Sequence, residues 1–499
     1  DADVSFANDT KLTIASTGAV SITSGTLTVG SLDIGHGLGG DTASTAIGTD
    51  ALDASLSGSI RNTAIGQSAL TALNSADADY NVAVGSYAGQ AITSGDRNTA
   101  VGDSALGTVD GHYNTAVGTS ALNADCVDDN TAVGTHALLL FTGSNATAVG
   151  SGAADAATTA TNLTAVGRGA LSTTIDGNYN TAVGTTTLGT GDCGDHNTGI
   201  GYAALYAFTG TDATAIGSQA ADAATSATNL TAVGKNALGT TIDGHDNTAV
   251  GYNALSTGDC VDHNTGVGTN ALKVFTGSNA TAVGSGAADA ATSAANLTAV
   301  GQSALGACTD GNYNTAVGTG ALASTTTNDD CVALGSGAGN RMTGSRSVLL
   351  GSDAGYFATS ASDTIAIGKD AFRGDGTTAP TGDYNIAIGS YTLDAVTSGA
   401  SNIAIGHNAG TAISSGHANV LVGYEAGMAL DTLSNSIAVG YGALKTETTS
   451  GGSVAVGTYA LEDQNVASAN NTAVGHNTGY NLTTGTDNVF VGQDRKSVV

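Results

Sequence analysis

Three short stretches gather thiols, carboxylates and imidazoles: residues 125–130 (Asp-Cys-Val-Asp-Asp-Asn), 192–197 (Asp-Cys-Gly-Asp-His-Asn) and 259–264 (Asp-Cys-Val-Asp-His-Asn). A cysteine beside acids and His suggests a reactive thiolate, a metal ligand or half of a disulfide, and the oxygens would suit calcium. The spacing argues against each. Cys126, Cys193 and Cys260 recur every 67 residues, and a disulfide needs Cα atoms within about 7 Å. Neither the EF-hand loop nor the Gly-rich nonapeptide calcium roll has this pattern. The stretches read as solvated Asx turns carrying free thiols.

Other motifs point the same way. Arg373-Gly374-Asp375 lies in a segment close to the only proline, Pro380; an exposed loop is expected there, suited to surface contacts, and the triplet reads as a chance match. Gly335–Gly339 (Gly-Ser-Gly-Ala-Gly) lacks the strand–helix context of a dinucleotide loop. The nine His residues occupy differing positions, and no nucleophile–base–acid set stands apart. The reading is therefore not an enzyme: no catalytic, cofactor-binding or metal residue is assigned, and no cofactor is expected.

What must position these turns is a repeat. A phrase ending in Gly occurs 27 times between Gly48 and Gly492, almost always 16 or 17 residues apart. One place before the Gly stands Ile, Val or Leu, as in Ile47, Val101 and Leu334. Two before is nearly always Ala, with Gly199, Gly266, Leu349, Leu421 and Phe490 as departures. Three before is Thr, Val or Ile. Alternate residues of a strand face opposite ways, so the β-branched and aliphatic residues share one face and Ala takes the other. The period alone leaves open which face is inside. After the Gly come Ala and often Leu, then turn residues such as Asp110-Gly111 and Asp310-Gly311. Each repeat reads as strand, Gly bend, second short strand and return loop, one coil of a β-solenoid.

The fold class expected is all-β, a parallel β-solenoid (β-roll) of about 27 coils of 16–17 residues, with like residues stacked in columns. At about 4.8 Å per coil such a stack would be a rod on the order of 130 Å long. Only 4% of residues are aromatic and there is no Trp, as a narrow coil would require. Asn often precedes the strand (Asn98, Asn114, Asn247, Asn264); a shared hydrogen-bond ladder and a simple turn preference both account for it.

Four segments follow. Residues 1–40 lack the phrase and read as a β-rich attachment or capping segment; Asp1–Thr13 has no signal-peptide character. Residues 41–330 are solenoid with a 67-residue, four-coil superrepeat, seen in the stretches starting at Thr147, Thr214 and Thr281. Residues 331–492 continue the solenoid with more Val and Ile on the strand, and 493–499 form a tail or junction.

The net charge of −29, from 42 acidic and 13 basic residues, excludes the Lys/Arg patches that nucleic acid or an anionic membrane would need. No run of about 18 apolar residues is present, so no membrane insertion is expected.

The phrase Asn-Thr-Ala-Val-Gly-x-x-Ala-Leu, at Asn114–Leu122 and Asn247–Leu255, resembles repeats of phage tail-fibre-like proteins, and is similar to the β-roll head repeats of trimeric autotransporter adhesins. The resemblance covers roughly residues 44–492. It implies a homotrimeric rod, on a virion surface or extracellular, that projects a receptor- or surface-binding end. Its partners would be a virion or cell-surface anchoring protein and a host-surface receptor or glycan. The alternatives are a bacterial or archaeal adhesin or filament subunit and, behind these, a polysaccharide-acting β-helix enzyme or an ice-binding protein.

Overall fold

The structure is a computed structural model that describes residues 27–29, 32–35, 43–54, 59–107, 110–240, 242–464 and 470–493. The expected tail, from residue 494 on, and most of the 1–40 segment lie outside the described residues. The chain divides into two compact units, Asp1–Asp192 and Cys193–Val499. Among the described residues there is no helix.

In the first unit nine three-residue strands, from Thr45–Ile47 to Thr181–Val183, pair in parallel, each with its sequence neighbours. Ahead of them Leu27–Val29 and Leu32–Gly35 form an antiparallel hairpin, and Leu32–Gly35 pairs antiparallel with Thr45–Ile47. In the second unit eighteen strands, from Thr198–Ile200 to Val489–Val491, stack in the same parallel way. The register is residue on residue: Thr248 pairs with Thr265, Val250 with Val267. The parallel β-solenoid expected from the phrase is the fold, with one coil per Gly.

The inside is the Ala side. Ala100, Ala249 and Ala366, each two places before its Gly, are fully or almost fully buried, whereas the residues on either side of them, Thr and Val in the first two strands and Ile365 and Ile367 in the third, are half-buried. Ala and Leu three and four places after the Gly close the core, as with Ala254 and Leu255. The coil is wider than the scarcity of aromatics implies. Phe141, Phe208, Phe275 and Phe372 are wholly buried, the first three in matching coils of the 67-residue superrepeat. Each of those three is accommodated by a glycine: a Cβ on Gly143, Gly210 or Gly277 would lie 2.8 Å from the ring of Phe141, Phe208 or Phe275.

The second short strand does not form. After the Gly the chain turns, with residues two and four places on in the left-handed region: Ser104 has φ 54° and Leu106 φ 62°, Asn253 φ 54° and Leu255 φ 49°. This conformation costs a non-glycine residue about 1–2 kcal/mol. It also swings the Leu inward, and burying that side chain returns about 1.5–3 kcal/mol, so packing prevails over backbone preference. The Gly itself is obligatory. Gly251 sits at φ +136°, and a Cβ there would lie 2.5 Å from the carbonyl oxygen of Gly268 in the next coil.

Two polar columns staple successive coils in opposite senses. Asn before the strand is buried, and its Oδ1 accepts the backbone N–H of the equivalent residue one coil on: Asn98 from Asn114 at 2.9 Å, Asn114 from Asn130 at 2.9 Å, Asn247 from Asn264 at 2.9 Å. The amide nitrogen donates to a turn carbonyl of that same next coil, as Asn98 does to Gly111 at 2.8 Å. The ladder is therefore real. Two residues earlier a second column runs the other way: the N–H of Ile60 donates to Asp79, of His112 to Asp128, of His245 to Asp262 and of Asn312 to Asp329, at 2.7–2.8 Å. Buried amide N–H groups left without acceptors cost more than a made bond returns, so these columns fix both register and spacing.

Candidate interaction surface

The three-residue strand faces outward with its first and last residues. In the first unit and up to Thr315–Val317 of the second, this outer face carries a Thr column beside a Val or Ile column, interrupted at Val82–Val84. From Val332–Leu334 to Val454–Val456 both columns are aliphatic. Ile405, Ile437 and Val456 remain 36–38% exposed. Successive coils lie about 4.8 Å apart, so within the second unit these residues form an unbroken apolar strip. A contiguous apolar surface of this kind is a candidate interaction surface.

Beside the Gly bends runs a row of aromatic rings. Tyr391, His407, Tyr424, Tyr441, Tyr459 and Tyr480 have successive ring centroids 5.8, 5.5, 5.0, 5.1 and 6.2 Å apart. The middle rings are nearly parallel, with 8° between His407 and Tyr424 and between Tyr424 and Tyr441. Glu425 and Lys445 pair beside them at 2.7 Å. In the first unit Arg and Tyr alternate: the Arg61 guanidinium lies 5.2 Å from the Tyr80 ring centre, and that of Arg97 lies 5.4 Å from both Tyr80 and Tyr113. Such contacts return about 0.5–1 kcal/mol at exposed sites and neutralise little of the acidity.

Four aspartates five places after the Gly are held high. Burial pushes the acids of Asp155, Asp222 and Asp289 above the usual carboxylate range, and that of Asp394 to about 6, where the nearby Asp370 adds to the rise and Arg373 opposes it. Sequence reasoning gave these acids no role. Their recurrence at one coil position was the available signal.

The motifs examined first are brought into the architecture rather than into a reaction centre. None of the five cysteines is in a disulfide and all are buried, and burial raises the thiols of Cys308 and Cys331. The turn acids bridge coils: Asp192 accepts the N–H of Ile175 and Asp259 that of Ile242, both at 2.8 Å. Among the described residues no three His, Cys, Asp or Glu side chains come together as a metal site. The loop after Arg373 is exposed from Asp375 to Thr378. Its charged ends are engaged within the chain. Arg373 pairs with Asp370 at 3.2 Å and lies over the Phe357 ring, while Asp375 Oδ1 accepts the N–H groups of Thr377 and Thr378 at 2.8 Å.

The sequence matches no protein-family model and no curated protein. The surface must be read from its own chemistry.

Proposed function

We propose that the chain is a structural and adhesive fibre, a β-solenoid that assembles as a homotrimer and projects a receptor- or surface-binding region from a virion or another extracellular surface. The observation that carries this reading is the outer sheet face of the second unit. Its paired Val and Ile columns, half exposed over successive coils from Val332 to Val456, need a partner as regular as themselves. Copies of the same chain in parallel supply one, because every coil then meets its own equivalent. Assembly would give weak surface contacts avidity. No role in catalysis is part of this reading. The resemblance of the repeat phrase to fibre repeats supports this reading, and the acidic composition fits a particle that stays dispersed until it meets its target.

The test is the mass of the native particle under mild conditions, together with an image of what each end is attached to. Three chains per particle are expected. A monomer at micromolar concentration would overturn the proposal, and attachment to a cell envelope rather than a virion would move it to an adhesin.

A further inference from the structure

On the flank of the second unit, within the coils of Gly217, Gly234 and Gly251, the surface opens into a trough of about 340 Å³. It exists because Gly239 stands where Asp222 and Ser256 stand in the coils before and after, so one rung of that column has no side chain. Every side chain that lines it ends in a polar group or a hydroxyl. Gln219, Asn236 and Asn253 line one side, Asp222 and Ser256 the other, with the hydroxyls of Thr240 and Thr257 at the rim.

Three features set this place apart from the repetitive surface around it. The first is internal divergence. The equivalent positions of the preceding 67-residue block carry Gly152, Gly169 and Thr186, and those of the following block Gly286, Ser303 and Gly320. Only the middle block places three carboxamides in a row. Gln219, Asn236 and Asn253 all lie at φ 54–58°. That conformation suits Asn in general but gives no reason for Gln219. The second is an orphaned group. Ser256 is 5% exposed, and its hydroxyl has no hydrogen-bond partner in the protein. A buried hydroxyl without a partner costs about 1–3 kcal/mol, so it is retained against the interest of the fold. The third is the arrangement of the remaining groups. Gln219 Nε2 donates to Asp222 Oδ2 at 3.3 Å and Asn236 Nδ2 to Asn253 Oδ1 at 3.2 Å, which orients the amides and leaves further donors and acceptors to serve a ligand.

We infer that this trough binds the ring of a neutral sugar, a hexopyranose alone or as one unit of a glycan. Carboxamides, a carboxylate and hydroxyls offer donors and acceptors side by side, which is what vicinal hydroxyl pairs require. No cation lines the trough, so an anionic ligand finds no partner there, and the volume admits one ring. The site lies along the flank of the stack, so a particle carrying several copies engages a polysaccharide along its length. This deepens the adhesive reading above and rests on it for its biological sense, but the binding is measured without it.

The experiment uses the full chain and saturation-transfer NMR with glucose, galactose, mannose and N-acetylglucosamine, alongside glucosamine and glucuronate as charged comparisons. At least one neutral sugar receives saturation and the charged pair does not. The triple variant Gln219→Gly/Asn236→Ser/Asn253→Gly installs the residues the next block already tolerates at these positions, so its fold is kept, and its affinity for that sugar falls by about tenfold or more. Ser256→Ala separates a binding role from a structural one: losing the orphaned hydroxyl raises the unfolding temperature while sugar affinity drops. No transfer to any neutral sugar, binding confined to the charged sugars, or an unchanged affinity in the triple variant would overturn the inference. None of these results bears on the particle mass that tests the fibre.

Discussion

The side chain of Leu349 occupies the space that side chains on Gly339 and Gly355 would fill: a Cβ on Gly339 would lie 2.5 Å from Leu349 Cδ1, and one on Gly355 2.8 Å from Cδ2. Leu349 stands in the column that is nearly always Ala, and the two glycines stand where the neighbouring coils have Leu322 and Phe372. Leu421 repeats the exchange between Gly410 and Gly427. Core volume is thus conserved across two successive coils, although neither keeps the usual pattern.

Truncating Leu349 to Ala leaves a cavity flanked by two glycines. The expected loss is about 2–5 kcal/mol, seen as a lower urea midpoint for the second unit. Adding Gly339→Leu and Gly355→Leu restores the consensus arrangement, since Leu adopts φ near +50° at this position elsewhere, as Leu322 and Leu393 do. Failure of the triple variant to recover stability would show that the glycines are needed for the backbone rather than for space.

Asn114→Ala removes the acceptor for the Asn130 N–H and the donor to the Val127 carbonyl, at 2.9 and 2.8 Å. One buried N–H left bare costs about 1–3 kcal/mol. The loss is local, because each coil contacts only its neighbours. Amide exchange at Asn130 accelerates while the distant coils of the first unit keep their protection. Uniform acceleration would contradict the nearest-neighbour picture.

The raised acid of Asp394 fixes the sign of one pH effect. Its folded value of about 6 exceeds the ordinary 3.8, so the native state holds the proton more tightly than the unfolded chain. The stabilisation is complete below the unfolded value and disappears as pH rises through about 6. Urea unfolding of the second unit at pH 4.5 and 7.5 should show a smaller pH-dependence for Asp394→Asn than for the parent chain. The other raised acids of that unit, Asp222, Asp289 and Glu462, act in the same direction, so the difference between the two proteins, rather than either alone, isolates Asp394.

Ile405→Lys with Val456→Lys places two charges on the outer strip without touching the Ala-lined interior. The coils should keep their β signature by circular dichroism, while sedimentation shifts from the assembled species to the single chain. If the variant sediments as the parent does, the strip is not where the copies meet.

Much of this architecture was legible in advance. The 16–17-residue step, the alternation around each Gly and the columns of like residues follow from period alone, because a parallel stack repeats its neighbours. The inward face was not legible: Ala and Val are both apolar, and only the packing of Leu255 against position 266 of the next coil, where a Cβ would lie 3.4 Å from Leu255 Cγ, reserves the interior for the smaller residue. The expected second strand failed because its Leu adopts a left-handed conformation that no propensity favours. The thiols were read as lying in turns, but their burial was not legible, since only the fold shows that a turn in a solenoid has a buried lining. The amides around Gly239 were visible as letters, yet their meeting point required knowing that a missing side chain opens a hollow.

The nearest-neighbour register has a genetic consequence. Excising residues 214–280 would join Ala213 to Thr281, and the strand and buried-core columns would close over the seam with partners of the type they had before. Near-identical tandem blocks invite unequal crossing-over, so a gene of this kind can gain or shed four rungs in a single event without passing through a misfolded intermediate. Reach becomes an inherited variable that selection can tune in steps of roughly 19 Å.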